Sequence, residues 1–167
     1  MPLFNEIKKE NLNEENQELI EIIEKKLKLM IIPYLKKYGF MLKDTAIKKE
    51  RFDPYYCFSF NFLNNKNRRE IIIGYLSNNI DGEKHIFYVS IYDDCRDIDN
   101  FEVDRFLCNK ENKSEKELFY LESYEGDTIG EKLENMFKKW IELFEKHLKG
   151  ILQGDDLIDG YQIDIGY

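Results

Sequence analysis

The two histidines are the residues of this chain best suited to acid–base chemistry, because histidine titrates near neutral pH. His85 lies in a segment with strand-like alternation, and His147 lies in the last turn of a predicted helix, where a cation interacts favourably with the helix dipole. Neither has a nucleophile or a second metal ligand close by in sequence. We therefore predict no catalytic residue and expect a protein that is not an enzyme.

A run of carboxylates follows the third of the strands predicted below and is the second group that could do chemistry. Its members are Asp93, Asp94, Asp97, Asp99, Glu102 and Asp104. Clustered carboxylates can bind calcium, but Asp97 and Asp99 are not followed by the third ligand, the glycine and the final glutamate of an EF-hand loop. The run therefore predicts a solvated acidic loop, with a nonspecific cation site as the alternative. We expect no metal and no cofactor.

Phosphate and nucleic-acid chemistry are weakly indicated. The nine glycines are scattered and form neither a GxGxxG nor a Walker pattern. Basic side chains do lie near aromatic ones at predicted strand ends, a mixture typical of single-strand binders. They are Lys48, Lys49, Arg51, Lys66, Arg68 and Arg69, close to Tyr55 and Tyr56. A protein with a net charge of −8 and a pI of about 5.0 is repelled by a phosphate backbone, so nucleic-acid binding is not expected.

The negative charge belongs to the second half of the chain. Residues 1–90 contain fifteen Lys/Arg and thirteen Asp/Glu, whereas residues 91–167 contain ten Lys/Arg and twenty Asp/Glu. An acidic half of this kind repels phosphates and anionic membranes and accelerates encounter with a basic protein. The expected partner is therefore a basic protein.

Length and composition predict a single domain, residues 1–167. A chain of 167 residues with 43% hydrophobic and 14% aromatic content can bury one substantial core. Three cysteines without metal-ligand spacing fit a reducing compartment. There is neither a secretion signal nor an apolar stretch that could cross a bilayer. These features predict a cytoplasmic protein that does not enter a membrane.

Apolar residues at three- and four-residue steps predict a helix over residues 13–38 and another over residues 128–149. Pro33 lies inside the first and predicts a kink or a break, because an interior proline removes a hydrogen bond. Gly39 and Gly150 fit left-handed ends for the two helices. Thr128 with Glu131 is typical of a capping box.

Between the helices the period changes to two, which predicts an antiparallel meander over about residues 41–92. The fold class is α+β, with a sheet of about four to six strands packed against the N-terminal and C-terminal helices. Residues 93–127 are predicted to be irregular and acidic, with Phe101–Leu107 and Leu118–Tyr124 each able to form a strand or a short helix and Asn109–Lys116 an exposed loop. Residues 151–167 alternate at their end and predict an acidic tail strand, which pairs with the sheet's own edge or with a partner.

Three runs of sequence carry a resemblance to a known class of proteins. They are "IIPYLKKYGF", the aromatic "YYCFSFNFL" and the closing helix "KLENMFKKWIELFEKHLKGIL". Their order along most of the chain resembles the small acidic immunity proteins of bacterial polymorphic-toxin systems. The likeness contains no diagnostic motif, so no site residue is transferred from it. It implies tight binding to a toxin, often a basic nuclease.

The sequence thus predicts a non-enzymatic protein that neutralises a basic protein partner. The leading interpretation is an immunity protein against a bacterial toxin, and a nuclease toxin is the candidate partner. Acidic residues would steer association and tyrosines would anchor the contact. The predicted partner-binding residues are Asp93, Asp94, Asp97, Asp99, Glu102, Asp104, Asp155, Asp156, Tyr161 and Tyr167. The alternatives are a phage-type inhibitor of a nucleic-acid enzyme, and an enzyme or small-ligand protein whose pocket residues are dispersed.

Overall fold

The computed structural model describes residues 4–6, 9, 12, 14–50, 56–78, 84–93 and 101–155. Within them, six strands form one antiparallel sheet in which neighbours in sequence are neighbours in space. The strands are β1 (Phe4–Glu6), β2 (Met41–Glu50), β3 (Tyr56–Asn64), β4 (Arg69–Asn78), β5 (Lys84–Asp93) and β6 (Phe101–Glu102). The helices are α1 (Glu14–Lys26), α2 (Ile32–Lys36), α3 (Val103–Glu111), α4 (Glu115–Leu118), α5 (Ile129–His147) and α6 (Lys149–Leu152). The predicted α+β class and the meander over about residues 41–92 are confirmed, whereas β1 was not predicted.

The side chains on one face of the sheet are part of the hydrophobic core. The register aligns Phe60 with Ile73 and Val89 across three strands, and all three side chains are buried. The rows on either side repeat this pattern with Phe58, Tyr75 and Phe87 and with Phe62, Ile71 and Ile91. The intervening residues point to the opposite face and are mostly half-buried. The alternation in the sequence therefore reports which face of each strand meets the helices.

Pro33 is accommodated by a change of helix type. A π-helical segment, Leu27–Ile31, joins α1 to α2, and Pro33 lies in the first turn of α2. The Ile32 N–H donates to the carbonyl of Leu27, five residues earlier. The wider π turn makes room for a proline ring that would collide with the carbonyl four residues before it. The predicted kink or break takes the form of this π-helical segment, which divides the α-helix into α1 and α2.

The first helix ends as the sequence predicts. Gly39 has a φ of 90°, in the left-handed region that favours glycine. The Phe40 N–H donates to the carbonyl of Leu35, and the Phe40 ring is buried. This Schellman arrangement turns the chain directly from α2 into β2.

The region predicted to be irregular, residues 93–127, is largely helical in the part that the structure describes. After β6 come α3, α4 and a short 3-10 helix, Leu121–Ser123. Val103, Phe106 and Leu107 are buried and lie three and four residues apart, which is the spacing of one helix face. Of the strand and the short helix that the sequence leaves open for Phe101–Leu107, the structure has a two-residue strand followed by a helix, and the predicted loop Asn109–Lys116 contains the end of α3 and the start of α4.

The C-terminal helix α5 supplies the centre of the core through Trp140, which is fully buried. Its ring centroid lies 5.2 Å from those of Phe119 and Phe137 and 5.8 Å from that of Phe87. Its indole N–H donates to the carbonyl of Leu118 at 3.0 Å, so its polar atom is satisfied. Trp140 therefore joins α5 to the sheet and to the α4 region.

The start of α5 confirms the predicted cap, with one difference. The Thr128 hydroxyl accepts from the Glu131 N–H at 3.1 Å, as a capping box requires. The Glu131 carboxylate accepts from the N–H of Asp127 at 2.8 Å, and so reaches one residue beyond Thr128.

The predicted end of the second helix at Gly150 is wrong. The chain continues as α6, and the glycine with a positive φ of 107° is Gly154. Ile151 and Leu152 are buried, so core packing extends the helical path past Gly150. The predicted tail strand 151–167 is therefore wrong for residues 151–155, and residues 156–167 lie outside the described part of the chain.

We predict that Trp140→Ala lowers the free energy of unfolding by about 3–5 kcal/mol, since it leaves a cavity among the rings of Phe87, Phe119 and Phe137. Chemical denaturation followed by far-ultraviolet circular dichroism measures this loss. Lys138→Ala, at an exposed position of the same helix, is the control and should change stability by less than about 0.5 kcal/mol. Equal stability of the two variants would contradict the assignment of Trp140 to the core.

Candidate partner-binding surface

Four of the ten predicted partner-binding residues lie in the described part of the chain: Asp93, Glu102, Asp104 and Asp155. The other six, Asp94, Asp97, Asp99, Asp156, Tyr161 and Tyr167, lie outside it. The four described residues have different environments, so each is treated by itself.

Asp93 is buried and is not available to a partner. It is the last residue of β5, it is 8% exposed, and its carboxylate accepts from the Nε of Arg69 at 3.4 Å. Arg69, the first residue of β4, is 3% exposed and also donates through Nη1 to the carbonyl of Ile151 at 2.6 Å. A buried carboxylate requires a partner of this kind. Asp93 therefore belongs to the internal packing, and the predicted surface loses this residue.

Glu102 and Asp104 lie where β6 passes into α3. Glu102 pairs with Arg105 at 3.3 Å, and both side chains are largely exposed. Asp104 is half-buried, and burial is the main reason that its pKa rises to about 7. The charges of Glu115 and Glu102 raise that pKa further, whereas hydrogen bonds from the backbone of Asp104 and Arg105 oppose the rise. The site thus holds a carboxyl group that is poised to lose its proton near neutral pH.

Asp155 is exposed and lies beyond the end of α6, where its backbone N–H donates to the carbonyl of Gly150 at 2.9 Å. Arg69 contacts both Asp93 and Ile151, so the end of β5 and the end of α6 meet at one end of the sheet. The structure therefore brings the last residue of β5 close to the end of α6.

Further carboxylates on α4 were missed by the sequence analysis. Glu115 and Glu117 are exposed. Burial is the main reason that the pKa of Cys108 rises to about 12, and the charges of Glu115, Asp104 and Glu117 raise it further. An open pocket of about 510 Å³ separates α3 from α4. Its lining residues are Arg105, Cys108, Asn109, Asn112, Lys113, Ser114 and Glu115. The helical spacing of Val103, Phe106 and Leu107 was the signal that could have located α3, and with it this surface.

The two histidines are held by neighbouring side chains. His85 shares a hydrogen bond of 2.6 Å with the Tyr75 hydroxyl through Nδ1, and its backbone N–H donates to the Glu122 carboxylate at 2.5 Å. Burial lowers the pKa of His85. His147 lies 2.8 Å from the Glu111 carboxylate. The pocket between α3 and α4 and a second pocket of about 400 Å³ are both lined without a histidine.

The described residues contain no group of three or more His, Cys, Asp or Glu side chains arranged to hold a metal ion. They also contain no helix that combines the length and the apolar character needed to span a membrane.

Comparison with known proteins does not assign the chain to a family. The chain matches no family model, no curated protein and no solved structure. The class that its own structure defines is an α+β protein with one antiparallel sheet.

We predict that Asp93→Asn lowers the free energy of unfolding by about 3 kcal/mol or more, because it leaves the buried Arg69 guanidinium without its counter-charge. Urea denaturation measures the loss. The matched control is Asp127→Asn, the same change at an exposed position, which should alter stability by less than about 0.5 kcal/mol. Equal effects would place Asp93 on the surface and contradict the ion pair.

We also predict that Asp104→Asn stabilises the protein more at pH 8 than at pH 5. The folded state raises the pKa of Asp104 to about 7, so it binds this proton more tightly than the unfolded chain does. The cost of ionising the folded carboxyl therefore grows as pH rises from about 4 and is complete above about 7. Thermal melts at both pH values, with Asp127→Asn as control, measure the difference. A gain that does not depend on pH would contradict this assignment.

Proposed function

We propose that the protein binds a basic protein and neutralises it, as an immunity protein does with its toxin. The observation that carries the proposal is the charge of the second half of the chain, where residues 91–167 hold twenty Asp/Glu and ten Lys/Arg. Asp104, Glu115 and Glu117 belong to this half and lie on the surface of α3 and α4, among basic side chains such as Arg105 and Lys113. An excess of carboxylates attracts cationic side chains before contact is made.

The stretch between β5 and β6 extends this surface in sequence. Asp94, Asp97 and Asp99 lie between the end of β5 and Glu102, and Asp155 lies at the same end of the sheet as the start of that stretch. A basic active-site groove or substrate-binding surface is the complementary partner. The resemblance to immunity proteins makes a nuclease toxin the first candidate.

Electrostatic complementarity predicts how the contact behaves. Charged groups at the rim of an interface act mainly on the association rate, which falls as salt screens them. A lysine or arginine of the partner placed near Asp104 would favour its ionised form and lower its pKa. Binding should then release a proton near neutral pH and become tighter as pH rises through about 7.

The first experiment is a tagged pull-down from the native host at low and then moderate salt, with mass spectrometry of the eluate. A stoichiometric basic protein, especially a nuclease whose activity is lost on binding, would support the proposal. A captured host enzyme of nucleic-acid metabolism would favour the phage-type inhibitor instead. Recovery of the protein alone would move weight to a small-ligand or enzymatic function.

We predict that the triple change Asp104→Asn, Glu115→Gln and Glu117→Gln slows association with that partner by about tenfold at low salt. The matched control removes three exposed carboxylates from α1 through Glu14→Gln, Glu18→Gln and Glu21→Gln. At pH 8, where Asp104 is largely ionised, both variants gain nearly the same net charge, so only a local effect distinguishes them. Stopped-flow or surface-based kinetics give the rates. Equal rates for the two variants would exclude the α3 and α4 surface as the contact.

A further inference from the structure

The two edges of the sheet are closed to different extents. At the β5 edge, β6 pairs with Ser90 and Ile91, and the Phe87 N–H donates to the carbonyl of Phe119 at 2.9 Å. At the other edge, β1 pairs only with Lys48, Lys49 and Glu50 of β2. Within the described part of the chain, no strand pairs with Met41–Ile47 on that side. Among the described residues, the backbone N–H and C=O groups of this stretch that point away from β3 have no strand partner, which makes the stretch a template for another strand, with a register shift between Leu42 and Asp44.

We propose that this open edge of β2 holds the chain's own C-terminal segment, residues 156–167, as an added strand. The inference does not depend on the proposed function, because it concerns the protein in isolation. It assigns Tyr161 and Tyr167 a role within the fold instead of at a partner surface.

The point where the described chain ends supports this occupant. Gln153 lines the pocket of about 400 Å³ together with Met41, the first residue of β2, and with Leu63, the β3 residue paired with it. Gly154 lies against the side chain of Asn67 in the turn between β3 and β4. The chain therefore leaves α6 at the corner where β2 begins.

Length and pattern fit the edge. The segment contains twelve residues, which reach roughly 40 Å when extended at about 3.3 Å per residue. Its last seven residues match the seven of Met41–Ile47, and the preceding five can turn the chain onto the edge. Tyr161, Ile163, Ile165 and Tyr167 alternate with Gln162, Asp164 and Gly166, which is the pattern of a strand with one apolar face. A chain that starts at the Met41 corner would run parallel to β2.

Charge favours the tail over a second copy of the protein. The segment carries Asp156, Asp159 and Asp164 and no basic residue. Exposed lysines line the corner and the edge: Lys36, Lys37, Lys43, Lys48 and Lys66. Two whole chains, each with a net charge of −8, repel one another. A tethered segment also has an effective concentration in the millimolar range, which a second copy in dilute solution does not reach.

The exposure of the Met41 side chain is consistent with an edge that has no neighbouring strand in the described part of the chain. The Met41 side chain is 56% exposed, whereas that of Ile47, later in the same strand, is buried. Lys43, Asp44 and Thr45 between them are also exposed. An added strand would cover this part of β2 and extend the buried face of the sheet beyond Leu42 and Ile47.

Hydrogen exchange on the full-length protein tests the proposal, with amides of residues 41–47 followed by mass spectrometry. Ile163→Lys places a charge on the apolar face of the segment, whereas the matched control Gln162→Lys places the same charge on the other face. We expect these amides to exchange about tenfold more slowly in the wild type and in Gln162→Lys than in Ile163→Lys. Amides of β4 should be equally protected in all three proteins, because an edge strand opens before the centre of a sheet.

Several results would overturn the proposal. Equal exchange of residues 41–47 in all three proteins would show that the segment does not cover the edge. Protection that falls on dilution and persists in Ile163→Lys would assign the edge to a second copy. Protection that arises only when a basic partner is added would assign it to that partner, and an equal loss in β4 would indicate global destabilisation.

Discussion

The buried Arg69 is the constraint on which the rest of the structure depends. Its guanidinium joins the first residue of β4 to the last residue of β5 and to the carbonyl at the end of the C-terminal helices. Asp93 supplies the counter-charge that permits an arginine at 3% exposure. Because these groups lie 24 and 82 residues away in sequence, one side chain fixes where the acidic stretch begins and where the tail leaves.

The core built around this point explains why the fold tolerates its irregular elements. Trp140 packs among aromatic rings from α5, β5 and the α4 region, and the long N-terminal helix crosses the same buried face. The π-helical segment before Pro33 keeps Leu27 and Ile31 fully buried. Side-chain packing thus offsets the cost of a proline within the helix, since burial of each large apolar side chain contributes about 1.5–3 kcal/mol.

The opposite charges of the two halves of the chain have two consequences in three dimensions. Burial is the main reason that the pKa of Asp104 rises, and the charge of Glu115 raises it further. Exposed Lys37 and Lys66 line the pocket that Met41 and Gln153 also line. The proposed partner contact and the proposed added strand would both draw on this charge asymmetry.

The sequence by itself determined the elements whose signal is periodic: the two long helices, the meander of β2 to β5, the cap at Thr128 and the turn at Gly39. These follow from local spacing, because a helix or a strand must turn its apolar residues to one side. It left the start of α3 open between a strand and a short helix, and it did not predict the continuation of the helix past Gly150. Only the tertiary structure decided that Asp93 is internal, that Asp104 is half-buried and that Met41–Ile47 has no strand beside it on one side among the described residues. Burial and pairing depend on residues far apart in the chain, and residue spacing contains no information about how those residues meet.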